Sequence, residues 1–216
     1  MSLLTKLFHY VLLSVSKYKI DESHGLSHSM EILTQANKIY ENEVIKHPYI
    51  KDHEKIIYVS SVLHDMCDKK YMNQDDGIKD IDRFLYTIKD DNYSNYISPK
   101  ESSVIKDIVS TMSYSTVKKK GFPNLGKYQM AYNIVREADL LCAYDFDRCM
   151  IYQMTQKKYD LIEAYNDSVN LFQNRMFKHN EDGLFLTDYT RNNYIVYENN
   201  AKLKINYWKK ILSKKL

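Results

Sequence analysis

Apolar residues recur at three- and four-residue intervals along almost the whole chain, the spacing of helices that bury one face. Leu4, Leu7, Phe8, Val11 and Val15 form the first such stripe. A second helix is predicted over 27–46, stopped before Pro48 because the residue preceding a proline avoids the α region. A third starts near Lys51 and closes on His64 and Asp65, and a fourth covers 75–89. Ser98-Pro99-Lys100-Glu101 reads as a helix start, with a hydroxyl cap, a proline at the first helical position and a glutamate three residues after the cap. The helix it opens carries Val104, Ile105, Ile108, Val109 and Met112 on one face. Residues 114–127 break the pattern around Lys118-Lys119-Lys120-Gly121 and Pro123, which predicts a loop placed to cover a site. The helix expected over 128–144 buries Met130, Ile134, Ala138 and Leu141, with Asp139 one residue around from that face. Two longer helices, 145–178 and 187–213, complete the chain on either side of a turn at Asn180-Glu181-Asp182-Gly183.

The pattern therefore predicts an all-α fold, and only five glycines and three prolines interrupt it. The 216 residues, 44% of them hydrophobic, suffice for one sizeable core, so residues 1–216 are expected to form a single domain. Lysine and arginine total 31 against 28 acidic residues, mixed along the chain, which argues against a nucleic-acid footprint and mildly favours a small anionic substrate. Cys67, Cys142 and Cys149 form no paired framework, as expected of a reducing, cytoplasmic compartment. The apolar run over 3–15 contains Lys6 and His9, lacks a small-x-small cleavage site and is shorter than the ~20 residues of a membrane span, so no membrane partner is expected.

Against this background the adjacent His64 and Asp65 stand out, because imidazole nitrogen and carboxylate oxygen are both ordinary ligands of a divalent cation. Helical neighbours point about 100° apart, so the two share one ion only near a helix end and need further ligands from elsewhere. Asp21-Glu22-Ser23-His24-Gly25-Leu26-Ser27-His28 and Arg136-Glu137-Ala138-Asp139 supply candidates. Each has a plain alternative. His64 could be a hydrogen-bonded core histidine, His24 and His28 a solvated pair one turn apart, and Asp139 the partner of Arg136 or Arg148, since an unpaired buried charge costs several kcal/mol or more.

In order and context these segments resemble the HD-domain superfamily of metal-dependent phosphohydrolases. Asp21-x-Ser23-His24-Gly25-x-x-His28 is similar to its first motif, Val62-Leu63-His64-Asp65-Met66-Cys67-Asp68-Lys69-Lys70-Tyr71 to its second and Glu137-Ala138-Asp139-Leu140-Leu141 to its third. The closest type is the small single-domain hydrolases, which carry a serine-containing segment like Ser113-Tyr114-Ser115. The resemblance implies a single-domain HD-type helical bundle holding one divalent ion (Mn, Mg, Fe, Co or Ni) on His28, His64, Asp65 and Asp139. It implies that Asp68 orients or deprotonates the attacking water, that His24 and Lys70 steady the anion, and that the substrate is a nucleotide, triphosphate before monophosphate. Lys69 and the Lys118 to Lys120 run are further candidates to meet phosphate, and Arg148, Arg175 and Arg191 stand unranked. A homodimer is compatible with the reading.

No histidine lies between His64 and His179, which argues against the second metal of the binuclear members. Two positions depart from the relatives: Glu31 stands where they have an arginine, and Cys142 where many have an aspartate. These departures keep a second expectation open, an HD-fold module that holds a nucleotide or oligonucleotide without turning it over.

Overall fold

The computed structural model describes residues 1–89 and 96–214. The described residues form helices α1 (Leu3–Tyr18), α2 (Leu26–Lys46), α3 (Glu54–Leu63), α4 (Gln74–Thr87), α5 (Pro99–Thr111), α6 (Tyr114–Lys120), α7 (Gln129–Cys142), α8 (Phe146–Gln156), α9 (Leu161–Asn174) and α10 (Asp188–Leu212), with short 3₁₀ turns between some of them. The fold is all-α. No helix among the described residues is long and apolar enough to cross a membrane.

The ends of the helices follow local chemistry. Ser2 caps α1, and at Ser98 the expected capping box is complete: its hydroxyl accepts from Glu101 N–H while the Glu101 carboxylate accepts from Ser98 N–H at 2.7 Å. Three expectations are corrected. The segment expected to be a loop over 114–127 begins as α6, because the Ser113 hydroxyl caps it and the lysine run falls in its last turn, where cations complement the helix dipole. The helix expected over 145–178 is two, since Lys158 turns left-handed (φ 57°) and Asp160 with Glu163 opens α9 through its own capping box. The third helix closes at Leu63, so His64 and Asp65 lie in the turns that follow it.

Helices α3 and α7 are buried on nearly every face, which makes them the centre of the bundle rather than its surface. Helix α2 packs on both, and α1, α5 and α10 close around them. Two buried carboxylates tie the start of α10 and the residues just before it to this centre. Glu43 of α2 accepts from Tyr189 N–H (2.8 Å), and Glu137 of α7 accepts from Leu186 N–H (2.8 Å) and from the Thr187 hydroxyl (2.7 Å).

His179 is fully buried against Tyr114, Tyr144 and Phe185, and neither ring nitrogen finds a hydrogen-bond partner among the described residues. Burial, reinforced by Arg175, pushes its pKa down from 6.5 to about 3. Above pH 6.5 neither folded nor unfolded histidine is charged, so nothing is lost there. As pH falls from 6.5 towards 3, the unfolded chain takes up a proton that the folded chain refuses, and stability falls by roughly 1.4 kcal/mol per pH unit. Urea titrations across that window are expected to show the slope in the wild type and a shallower one in His179→Leu; equal slopes would remove the buried imidazole as its source.

Candidate metal centre

The site lies where the first turn of α2, the turns after α3 and the last turn of α7 meet. The Asp21 carboxylate caps the 3₁₀ turn Glu22–His24 and accepts from Ser23 N–H (2.8 Å) and the Tyr71 hydroxyl (2.5 Å). Burial opposes its charge, but these hydrogen bonds, with His24, hold the carboxyl well below the usual carboxylate range. The turn delivers His24 to the site and starts α2, which carries His28 inward, buried. On the other side Gly77 of α4 seats the turns bearing Asp65 and Asp68. A β-carbon there would stand 2.8 Å from Cys67 Cα and 2.9 Å from Cys67 Cβ, closer than two carbons can approach.

His28, His64 and Asp65 converge, with ligand atoms all within 4.8 Å of one another. Nε2 of His64 is 2.9 Å from Asp65 Oδ2 and 3.2 Å from His28 Nε2, and His28 Nε2 is 3.5 Å from the same carboxylate oxygen. Asp139 stands next to this trio, its Oδ1 3.8 Å from His28 Nε2. Neither alternative partner for Asp139 holds. Arg136 donates instead to the Leu184 carbonyl and to Glu137, and Arg148 to the Ser23 carbonyl (3.1 Å) and His28 Nε2 (2.9 Å).

The donor set suits a divalent ion. His64 Nδ1 meets the Ser61 carbonyl at 2.9 Å, which fixes the tautomer and turns the Nε2 lone pair into the cluster, as a ligating histidine requires. Asp65 Oδ2 is buried between the two imidazoles with His64 Nε2, 2.9 Å away, as its close polar partner, and a cation there would be shared by all three groups. Without one, charge gathers on the ligands themselves. Burial opposes a charged His64, yet the Asp65 carboxylate raises its pKa to about 9, whereas burial and Arg148 push His28 well below its ordinary value.

A cavity of about 620 Å³ opens onto the cluster. Its lining includes His24, Asp68, Lys69 and Lys70, the segment Ser113, Tyr114 and Ser115, and Arg148, Tyr152 and Arg175 from the last third of the chain. Lys70 Nζ sits 3.2 Å from His24 Nε2, 3.5 Å from Asp68 Oδ2 and 5.1 Å from the centre of the Tyr152 ring. Asp68 Oδ1 accepts from Lys70 N–H at 2.9 Å, which holds the carboxylate at the cavity wall. The basic run does not reach the cavity: Lys118 pairs with Asp182 at 3.0 Å, and Lys119 and Lys120 are exposed. Arg191 pairs with Asp188 and also stays outside.

Sequence reasoning left Arg148 and Arg175 unranked and passed over Tyr152. Nothing in a helical period signals which residues from α8 and α9 face a site built mainly from the first two thirds of the chain. The two departures from the family pattern prove to be neighbours. Glu31 Oε2 lies 3.9 Å from the unpartnered Nδ1 of His28, and burial together with the nearby Glu31 raises the Cys142 thiol pKa well above its usual value. Comparison of the chain with protein-family models, with curated proteins and with solved structures finds no match.

Proposed function

We propose that the protein is a phosphohydrolase that uses one divalent ion and acts on a phosphorylated small molecule, in the manner of the HD-domain enzymes its motifs resemble. The observation that carries this reading is the convergence of His28, His64 and Asp65, with the buried Asp65 oxygen between the two imidazoles, beside a cavity lined by a carboxylate and a lysine. His28, His64 and Asp65 would hold the ion, with Asp139 alongside. Bound there, a divalent ion supplies Lewis acidity and lowers the pKa of water. The chain's own groups do the rest. Asp68, steadied by Lys70 N–H, accepts the proton of the attacking water. Lys70 and His24, in contact with each other, neutralise charge building on the phosphoryl oxygens. Arg148 beside His28 is placed to meet the same anion.

One observation favours a second reading, a binding module without turnover. Arg148 donates to His28 Nε2, the nitrogen a metal would take, and can fill that position in its stead. Elemental analysis of the purified protein, followed by phosphate release across nucleoside mono-, di- and triphosphates, separates the two. A bound ion with turnover supports the hydrolase. Nucleotide binding by metal-free protein with no turnover after reconstitution with Mn²⁺, Mg²⁺, Fe²⁺, Co²⁺ or Ni²⁺ supports the module.

A further inference from the structure

Arg175 follows the last turn of α9 and lines the cavity. Its guanidinium lies over the Tyr114 ring, 4.0 Å from the ring centre, which fixes the plane of its donor fork. Its environment differs from that of the other two inward-facing arginines. Arg136 shares a buried, unpartnered Nε but its Nη2 donates to the Leu184 carbonyl and Glu137, and Arg148 donates to the Ser23 carbonyl and His28, so each has side-chain acceptors that Arg175 lacks. Arg175 donates no side-chain hydrogen bond to any described residue, and its Nε is sequestered from solvent without an acceptor. Withdrawing the Nε donor from water without compensation is unfavourable, so a half-buried, unpaired, orientationally fixed arginine on a cavity wall calls for an anion from outside the chain.

Charge identifies the anion. Lys69 likewise has no carboxylate partner among the described residues, whereas Lys157, also lining the cavity, is taken by Asp167 at 2.7 Å. With Asp65 and Asp139 committed to a divalent ion, Lys69, Arg148 and Arg175 leave the cavity with an excess of positive charge. A single phosphoryl group at the cluster, already met by the ion, Lys70 and His24, cannot also pair with Lys69 and Arg175. A chain of phosphates can, and the guanidinium fork matches paired phosphate oxygens.

The geometry points to a second phosphate-binding position on Arg175, supported by Tyr114, that takes the non-scissile phosphates of a nucleoside di- or triphosphate. This inference rests on the proposed hydrolase reading for the word non-scissile, but the anion site itself stands apart from turnover.

The test titrates inorganic tripolyphosphate and orthophosphate calorimetrically into metal-free wild type, Arg175→Gln and Arg175→Lys. Tripolyphosphate is expected to bind Arg175→Gln roughly 10- to 100-fold more weakly than wild type, the range expected for losing charge-assisted hydrogen bonds, with partial recovery in Arg175→Lys and little change for orthophosphate. In the metal-loaded protein the KM for a nucleoside triphosphate should rise with kcat less affected, and the monophosphate KM should hold. Equal tripolyphosphate affinity in wild type and Arg175→Gln overturns the assignment, as does tighter binding of citrate than of tripolyphosphate. If Arg175→Gln does not fold, Tyr114→Leu replaces it, with the same loss expected. Arg175-dependent binding of tripolyphosphate without phosphate release from any nucleotide would keep this site and discard the hydrolase.

Discussion

Replacing His64 with alanine is expected to remove the divalent ion and phosphate release together. Its Nε2 stands within 2.9 Å of Asp65 and 3.2 Å of His28, and its Nδ1 is anchored on the Ser61 carbonyl. No other described histidine or carboxylate joins that cluster to replace it. Removing even an outer partner of a metal ligand costs 10- to 100-fold in affinity, so loss of the ligand should cost on the order of 100-fold or more. Metal content by mass spectrometry and melting temperature with and without chelator check this together. The wild type should melt lower after chelation because metal binding is coupled to folding, while His64→Ala should not respond. Asp139→Ala asks a finer question, since Asp139 stands beside the trio rather than within it. Its metal content should fall, and full occupancy would reduce the ligand set to His28, His64 and Asp65.

Asp68→Asn should separate binding from chemistry. The amide oxygen can still accept from Lys70 N–H, so the turn and the neighbouring ligands keep their places. What disappears is basicity, and general-base contributions run to about 10²- to 10⁴-fold. A kcat reduced by that factor with unchanged metal content is the expected result. An unchanged kcat would make Asp68 an acid whose work is to hold Lys70, 3.5 Å from its Oδ2.

Much of this was legible from local signals. The all-α pattern, the Ser98 capping box and the helices α1, α2, α4, α5, α7 and α10 follow from spacing and cap chemistry. So does the buried face of α5, where Val104, Ile105, Ile108, Val109 and Met112 are all in the core. The break between α8 and α9 was also written in the chain, as Asp160 three residues before Glu163, but without glycine or proline the apolar period masks it. At α6 the reverse happened: Gly121 and Pro123 drew attention away from the Ser113 cap upstream. Geometry at the site was not legible, because periodicity gives the face of a helix and not what stands opposite. Nothing local says that Glu31 and Cys142 adjoin, or that Arg148 reaches across from α8 to His28.

His28 and Asp139 lie about half the chain apart in sequence, one on α2 and the other on α7, and those two helices pack directly against each other. An ion held by both would act as a removable cross-link closing a very long loop, and the entropy it takes from the unfolded chain grows with the logarithm of that loop's length. Fraying of α1 or α10 leaves such a link intact, whereas any opening that parts α2 from α7 must break it. Amide protons of those two helices should therefore exchange with solvent at a common, metal-dependent rate, while the outer helices exchange faster and indifferently to the ion.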